Sequence, residues 1–192
     1  MSTWTSPITW VASTTLTAAQ LNTEVRDHLN WLKGALSING ISSDTARGQV
    51  NAAIAGCRVS ASAALSIVTA TTTNLTYNTE AFDTDAFHSL VTNTERITVP
   101  ANFAGIYAVG AYVSWDSGAT GYRRMFIQQN GTTNLTGQTD TPTAGPNWIQ
   151  SCNTIVVAAA ADYFTVVAEH TQGTNLQVLF TTFWAVRLGS QS

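Results

Sequence analysis

The one cluster of carboxylates in this chain is Glu80, Asp83 and Asp85, two of them within Phe82-Asp83-Thr84-Asp85. Hard oxygen ligands at that spacing suit a calcium ion, with Asp83 and Asp85 as its candidate ligands. A solvated turn accounts for the same residues and is the reading adopted, with no metal and no cofactor. The three histidines, His28, His88 and His170, include no pair at metal-ligand spacing and read as structural. There is no Gly-x-Ser-x-Gly elbow and no glycine-rich phosphate loop after a strand. Nothing singles out a pair of acids for glycoside cleavage. Catalytic residues are therefore not assigned, and the chain reads as a non-enzyme. Trp148, in the loop Pro142 to Trp148, is a candidate for stacking on a glycan, since loops carry recognition. The competing reading has Trp148 starting a strand and packing inward. Cys57 and Cys152 are too few and too far apart for a disulfide framework or a zinc site. They read as reduced, buried thiols, with one long-loop disulfide as the alternative.

The elements that position these residues are set by composition and pattern. The 192 residues are 44% hydrophobic but only 10% charged, so threonine, serine, asparagine and glutamine supply the polarity. Many Thr and Val favour pleated surfaces. A net charge of −3 argues against nucleic acid or anionic lipid as a partner, because both need a basic field. Met1 to Thr15 has no basic region and no apolar run, so it does not read as a secretory signal. No stretch reaches the ~20 apolar residues of a membrane span. The Asn-x-Thr triplets at Asn74, Asn130 and Asn134 are what a Thr-rich chain produces by chance.

Four regions follow. Residues 1–16 read as an extended peptide in which Trp4, Ile8 and Trp10 share one parity. Such a peptide suits a sheet edge or the pockets of a partner, or folds back on its own chain. Residues 17–36 read as one helix. Thr17 and Gln20 make a capping-box pattern. Ala18, Val25, Leu29, Leu32 and Leu36 follow an a/d stripe with Asn22 in the remaining a position, the narrow seam of a coiled coil. Residues 37–57 read as a connector, and 58–192 as short strands.

Among the strands, Ile106 to Trp115 places Tyr107, Val109, Ala111, Val113 and Trp115 on one face and Ile106, Ala108, Gly110 and Tyr112 on the other. Tyr122 to Gln129 is a second run, ended by the hairpin signal Asn130-Gly131. Ile155 to Val157, Tyr163 to Ala168 and Leu176 to Leu188 complete a set that suggests a sandwich or barrel. In the last run Leu176, Val178, Phe180, Trp184, Val186 and Leu188 share one parity, and Leu179, Phe183 and Ala185 the other. A strand wetted on one side alternates with polar residues. Two apolar faces need two covers: the domain's own core, and a second layer or a neighbouring subunit. Tyr122, Phe126, Tyr163 and Val167 extend the same argument.

Residues from about 60 to 189 resemble the complement subcomponent 1q/tumour necrosis factor-like domains. The resemblance is carried by Phe82-Asp83-Thr84-Asp85, Gly105-Ile106-Tyr107-Ala108-Val109, Asn130-Gly131, Asp162-Tyr163-Phe164 and Phe183 to Gly189. It implies a mainly β fold, a ten-stranded jelly-roll sandwich that forms tight homotrimers. Val109 and Ala111 stand where that family prefers aromatics, and Ala161 where it prefers glycine before the Asp. The start of the chain has a second resemblance. Trp4 to Trp10, Leu16 to Asn22, Arg26-Asp27 and Leu32-Lys33 are similar to the start of virion structural proteins of tailed bacteriophages, where an anchor and a helix precede a trimeric tip.

Together these imply a homotrimeric head fibre or decoration, or a tail appendage, located in the virion and assembled in the host cytoplasm. Its partners would be other virion proteins through the N-terminus, and at the tip a host cell-surface glycan or protein; a non-viral trimeric adhesin or lectin-like module is the alternative. The expected trimer contacts are Val25, Leu29, Leu32 and Leu36 on the stalk, and Tyr107, Tyr122, Phe126, Tyr163, Phe180 and Trp184 on the head.

Overall fold

The structure is a computed structural model and describes residues 17, 41–44, 49–52, 54–142 and 147–190. The helical stripe Val25, Leu29, Leu32 and Leu36 and the peptide residues Trp4, Ile8 and Trp10 lie outside the described residues. The chain divides into two compact units, Met1–Ala53 and Ile54–Ser192. In the first, β1 (Ile41–Asp44) pairs antiparallel with β2 (Gln49–Ala52), within the stretch read from sequence as a connector.

The second unit is a β-sandwich. One sheet has the order β11 (Trp148–Ala158), β8 (Gly105–Trp115), β13 (Leu176–Gly189), β3 (Gly56–Ser60), β6 (Thr79–Asp83), with β4 (Leu65–Ile67) also on β13. The other has the order β10 (Thr133–Asp140), β9 (Arg123–Gln129), β12 (Tyr163–His170), β5 (Thr73–Asn74), with β7 (Arg96–Thr98) also on β12. All pairings are antiparallel, and most join strands distant in sequence. The first sheet therefore holds both ends of the unit, β3 and β13, side by side.

Period-two alternation places the core. β8 turns Tyr107, Val109, Ala111, Val113 and Trp115 inward, as its sequence parity predicts. They meet Phe164 and Val166 of β12 and Met125 and Ile127 of β9 across the sandwich. Phe87 and Phe164 lie against the Tyr107 ring at 6.1 Å between centroids, the edge-and-tilt geometry aromatic pairs prefer. The Asn130-Gly131 signal forms the β9–β10 hairpin, both residues at positive φ (54° and 70°). Asp162 ties this turn to the next one, accepting from Asn130 Nδ2 (2.8 Å), Gln129 Nε2 (2.9 Å) and Ala159 N (2.8 Å).

The last strand departs from its simple parity. A β-bulge between Val178 and Phe180 inserts one residue against β8. Leu176 and Val178 point into the core, but Phe180, Trp184, Val186 and Leu188 point away from it. The six residues grouped on one face by sequence thus split at the bulge, and Thr181, Phe183 and Ala185 take over the inward positions.

Candidate self-association face

The outward surface of the β11–β8–β13–β3–β6 sheet is the site with the most to explain. Its centre is one cross-strand row: Asn153, Gly110, Trp184, Arg58 and Phe82 are successive register partners. The row beside it runs Ile155, Ala108, Val186, Gly56. On the other side Ser151, Tyr112, Thr182 and Ser60 align, followed by Ile149, Ser114 and Phe180. Apolar side chains dominate, and much of that surface meets water. Ile155 is 67% exposed, Val157 48% and Phe180 45%. Leu188, Ile149 and Phe82 are also exposed, while Trp184, Val186 and Tyr112 are half-buried.

The face is shaped as well as apolar. Trp184 lies over Gly110, the only β8 position in its row and one without a side chain. Tyr112 meets Phe180 edge-on at 5.8 Å between centroids. Arg58 is the single charge in the central row, exposed, with its Nε 3.5 Å from Thr182 Oγ1. Apolar side chains of this face alternate with Arg58, Ser114, Ser151 and Thr182.

Of the six head residues expected at a trimer contact, the structure brings Phe180 and Trp184 together on this face. It disperses the others. Tyr107 is a correction: it is fully buried inside its own sandwich, and its hydroxyl donates to Phe103 O at 2.5 Å. Burial pushes that phenol up to about 12, with Arg187 pulling the other way. Tyr122, Phe126 and Tyr163 belong to the outer surface of the opposite sheet, so they cannot share one contact patch with Trp184. There Phe126 is buried, while Tyr122 and Tyr163 are half-buried. Arg124 lies over the Phe126 ring at 5.1 Å, and Arg96 over the Tyr163 ring at 4.7 Å. The Tyr122 hydroxyl donates to Glu169, which also receives Arg124 Nη2 at 2.5 Å. These bonds, that of Tyr122 first, hold the Glu169 carboxyl below its ordinary range although burial acts in the opposite direction.

The remaining candidates are placed as follows. Trp148 begins β11 on the inward parity and packs, half-buried, against the core, as its competing reading expects. Asp83 spends its carboxylate on backbone, accepting from the amides of Asp85 (3.3 Å), Phe87 (3.0 Å) and His88 (2.9 Å). Asp85 accepts from Thr84 Oγ1. The pair closes a turn, and among the described residues no group of three or more His, Cys, Asp or Glu is placed to hold a metal. Cys57 and Cys152 are free and buried, and desolvation raises both thiols, Cys152 to about 11.

Residues that sequence reasoning left out of the face are Ile149, Ile155, Val157, Tyr112 and Phe82. Tyr112 carried a signal, since it shares the outward parity of Ile106 and Ala108. Ile149, Ile155 and Val157 share the odd parity of β11, but a short run such as Ile155 to Val157 shows no face until its neighbour is known.

No protein-family model matches the chain, and no curated protein matches it either. Solved structures do. The globular domain of zebrafish complement 1qA is 12% identical, with a TM-score of 0.54, covering 71% of this chain and 99% of that one. Murine APRIL at pH 5.0 is 11% identical, with a TM-score of 0.55 and coverage of 70% and 99%. The Eiger TNF of S. frugiperda is 8% identical, with a TM-score of 0.52 and coverage of 72% and 95%. At these identities the likeness is one of fold: Ile54–Ser192 contains a two-sheet sandwich of the complement 1q/tumour necrosis factor-like jelly-roll type.

Proposed function

We propose that three copies of this chain associate through the outward face of the β11–β8–β13–β3–β6 sheet, and that the trimer is a non-enzymatic structural protein of a tailed-phage virion. The observation that carries the association is the face itself, with Trp184, Phe180, Tyr112, Ile155 and Val157 on one exposed sheet surface. A lone sandwich gains nothing from displaying that much apolar area to water. Sharing it removes the area at about 25 cal/mol per Å², and stable multi-subunit interfaces bury ~2,000 Å² or more in total. The threefold number and the virion role rest on the resemblances drawn from the sequence. The place on the particle, head fibre, decoration or tail appendage, follows the N-terminal resemblance alone.

A non-enzymatic role fits how the head uses its acids. Asp83, Asp162 and Glu169 are committed to backbone amides, side-chain amides and an arginine. Three equal tips on one particle site strengthen weak contacts with a host surface by avidity, on the order of 10²–10⁴.

Sedimentation of the purified chain tests the association: a stable species of about three times 20.4 kDa is expected, and a stable monomer overturns it. Mass spectrometry and immunolabelling of purified virions from a host carrying the chain test the location. Absence of the chain from particles removes the virion role and leaves the association standing.

A further inference from the structure

One end of the sandwich is held by a buried polar cluster that the association face does not use. His170, the last residue of β12, is fully buried. Its Nε2 lies 2.9 Å from Ile67 O, and its Nδ1 accepts from Gln172 N at 3.2 Å. These two partners define the ring: Nε2 must carry hydrogen to meet a carbonyl, and Nδ1 must be bare to meet an amide. His170 O also receives Ala70 N at 2.7 Å, and Gly173 N donates to Thr69 Oγ1 at 3.0 Å. The loop after β4 and the loop after β12 are thus joined through His170 and by the Gly173–Thr69 bond beside it.

The charge beside the ring is positive. Arg123 of β9 is the register partner of His170 and is fully buried. Among the described residues its guanidinium forms no ion pair; it donates to Thr120 O, Tyr122 O, Gly118 O and the Gln172 side-chain oxygen. β8 contributes the Trp115 ring, at 5.9 Å between centroids. β4 contributes the Ile67 carbonyl. On β12 itself Glu169 projects to the opposite face, where it is bound to Tyr122 and Arg124. Asp140 of β10 is the register partner of Arg123 on its other side, and it accepts from Gln150, whose amide donates to it at 2.8 Å and to Arg123 O at 3.0 Å. Asp116, just past β8, accepts from Ser117 N.

We propose that His170 is an acid-sensitive latch for this end of the sandwich. A proton on Nδ1 removes the acceptor of Gln172 N and sets one donor against another. It also puts a second positive charge beside Arg123, which forms no ion pair among the described residues. The bonds lost first are those that join the loop at 171–173 to the loop at 68–70 and, through Gln172, to Arg123 and the loop at 118–121. The sheets, held by their own ladders, keep their pairing while the loops open.

The test uses the full chain. Backbone amide exchange at Ala70, Thr171, Gln172 and Gly173 is measured from pH 7.5 to pH 5.0 and corrected for intrinsic rates. The expected result is a loss of protection of at least tenfold at these sites, with Val113 and Val166 unchanged. The variant His170→Gln keeps a donor and an acceptor but does not titrate, and its exchange should be flat over the same range. Equal acid dependence in the variant, or unchanged protection in the parent, overturns the proposal. Should the variant not fold, the ring ¹⁵N shifts of His170 in the parent decide. A change from the neutral to the charged pattern together with the amide loss supports the latch. A ring that stays neutral while the loops open removes it.

Discussion

The indole of Trp184 fills the space that a side chain at Gly110 would need: a methyl group there would come within 2.3 Å of Cζ2 and 2.6 Å of Cε2. The two residues are register partners on β13 and β8. The absence of a Cβ at one position therefore lets the largest side chain of the outward face lie down on its own sheet.

Gly110→Ala should lift the Trp184 ring off the sheet. Overpacking of this kind typically costs 1–3 kcal/mol, but here the ring can swing outward, so the fold should survive with little loss. Association should weaken by at least tenfold, read by sedimentation over a concentration series. An unchanged trimer in a folded variant would show that the face does not need a flat Trp184.

Phe180→Asp and Tyr107→Ala separate the face from the core. Phe180 is 45% exposed and Tyr107 fully buried. The first change should leave a folded subunit of unaltered circular dichroism but dissociate or aggregate it. The second should cost about 3–5 kcal/mol by emptying an aromatic site in the core, and lower the melting temperature of any assembly state. A Phe180→Asp protein that stays a soluble trimer places the contact elsewhere.

Acid should weaken the subunit through Asp162. Burial raises its carboxyl, but the bonds from Asn130, Ala159 and Gln129 outweigh it and hold the group below its ordinary value. A group whose folded pKa is depressed contributes stability above its unfolded value, near 4, and loses it as pH falls through the folded value. Melting temperature should therefore drop below about pH 4. Asp162→Asn should be less stable than the parent at pH 7, and the gap should narrow as pH falls below about 4. A constant gap across that range assigns the carboxylate no part in acid sensitivity.

Ala161→Gly should stabilise the head. Ala161 sits at φ 70° in the β11–β12 turn, and Ala161 N donates to Val99 O at 2.9 Å. A left-handed residue with a Cβ costs roughly 1–2 kcal/mol, partly offset by the greater freedom of glycine in the unfolded chain. A rise of a few tenths to about 1 kcal/mol in chemical denaturation is the net expectation. A fall would mean that the alanine methyl makes contacts worth more than the strain.

Alternation of residue types in the sequence was enough to determine that this chain is mainly β, that Tyr107 and Trp115 share a face, that Asn130-Gly131 turns a hairpin, and that the last strand is apolar on both sides. These are local properties, because a strand's period of two and a turn's φ values act within a few residues. Only the tertiary structure decided which strands stand beside one another. Sheet membership is set by hydrogen bonds between residues far apart in sequence, and this placed Tyr122, Phe126 and Tyr163 on the sheet opposite Trp184. It also set the bulge at Val178/Phe180, since one inserted residue leaves no mark on composition yet turns the side chains from Phe180 to Arg187 to the other face. The association face is legible as an excess of apolar residues in the sequence. Its outline, from Ile155 through Gly110, Trp184 and Arg58 to Phe82, exists only where five separate strands are brought into register.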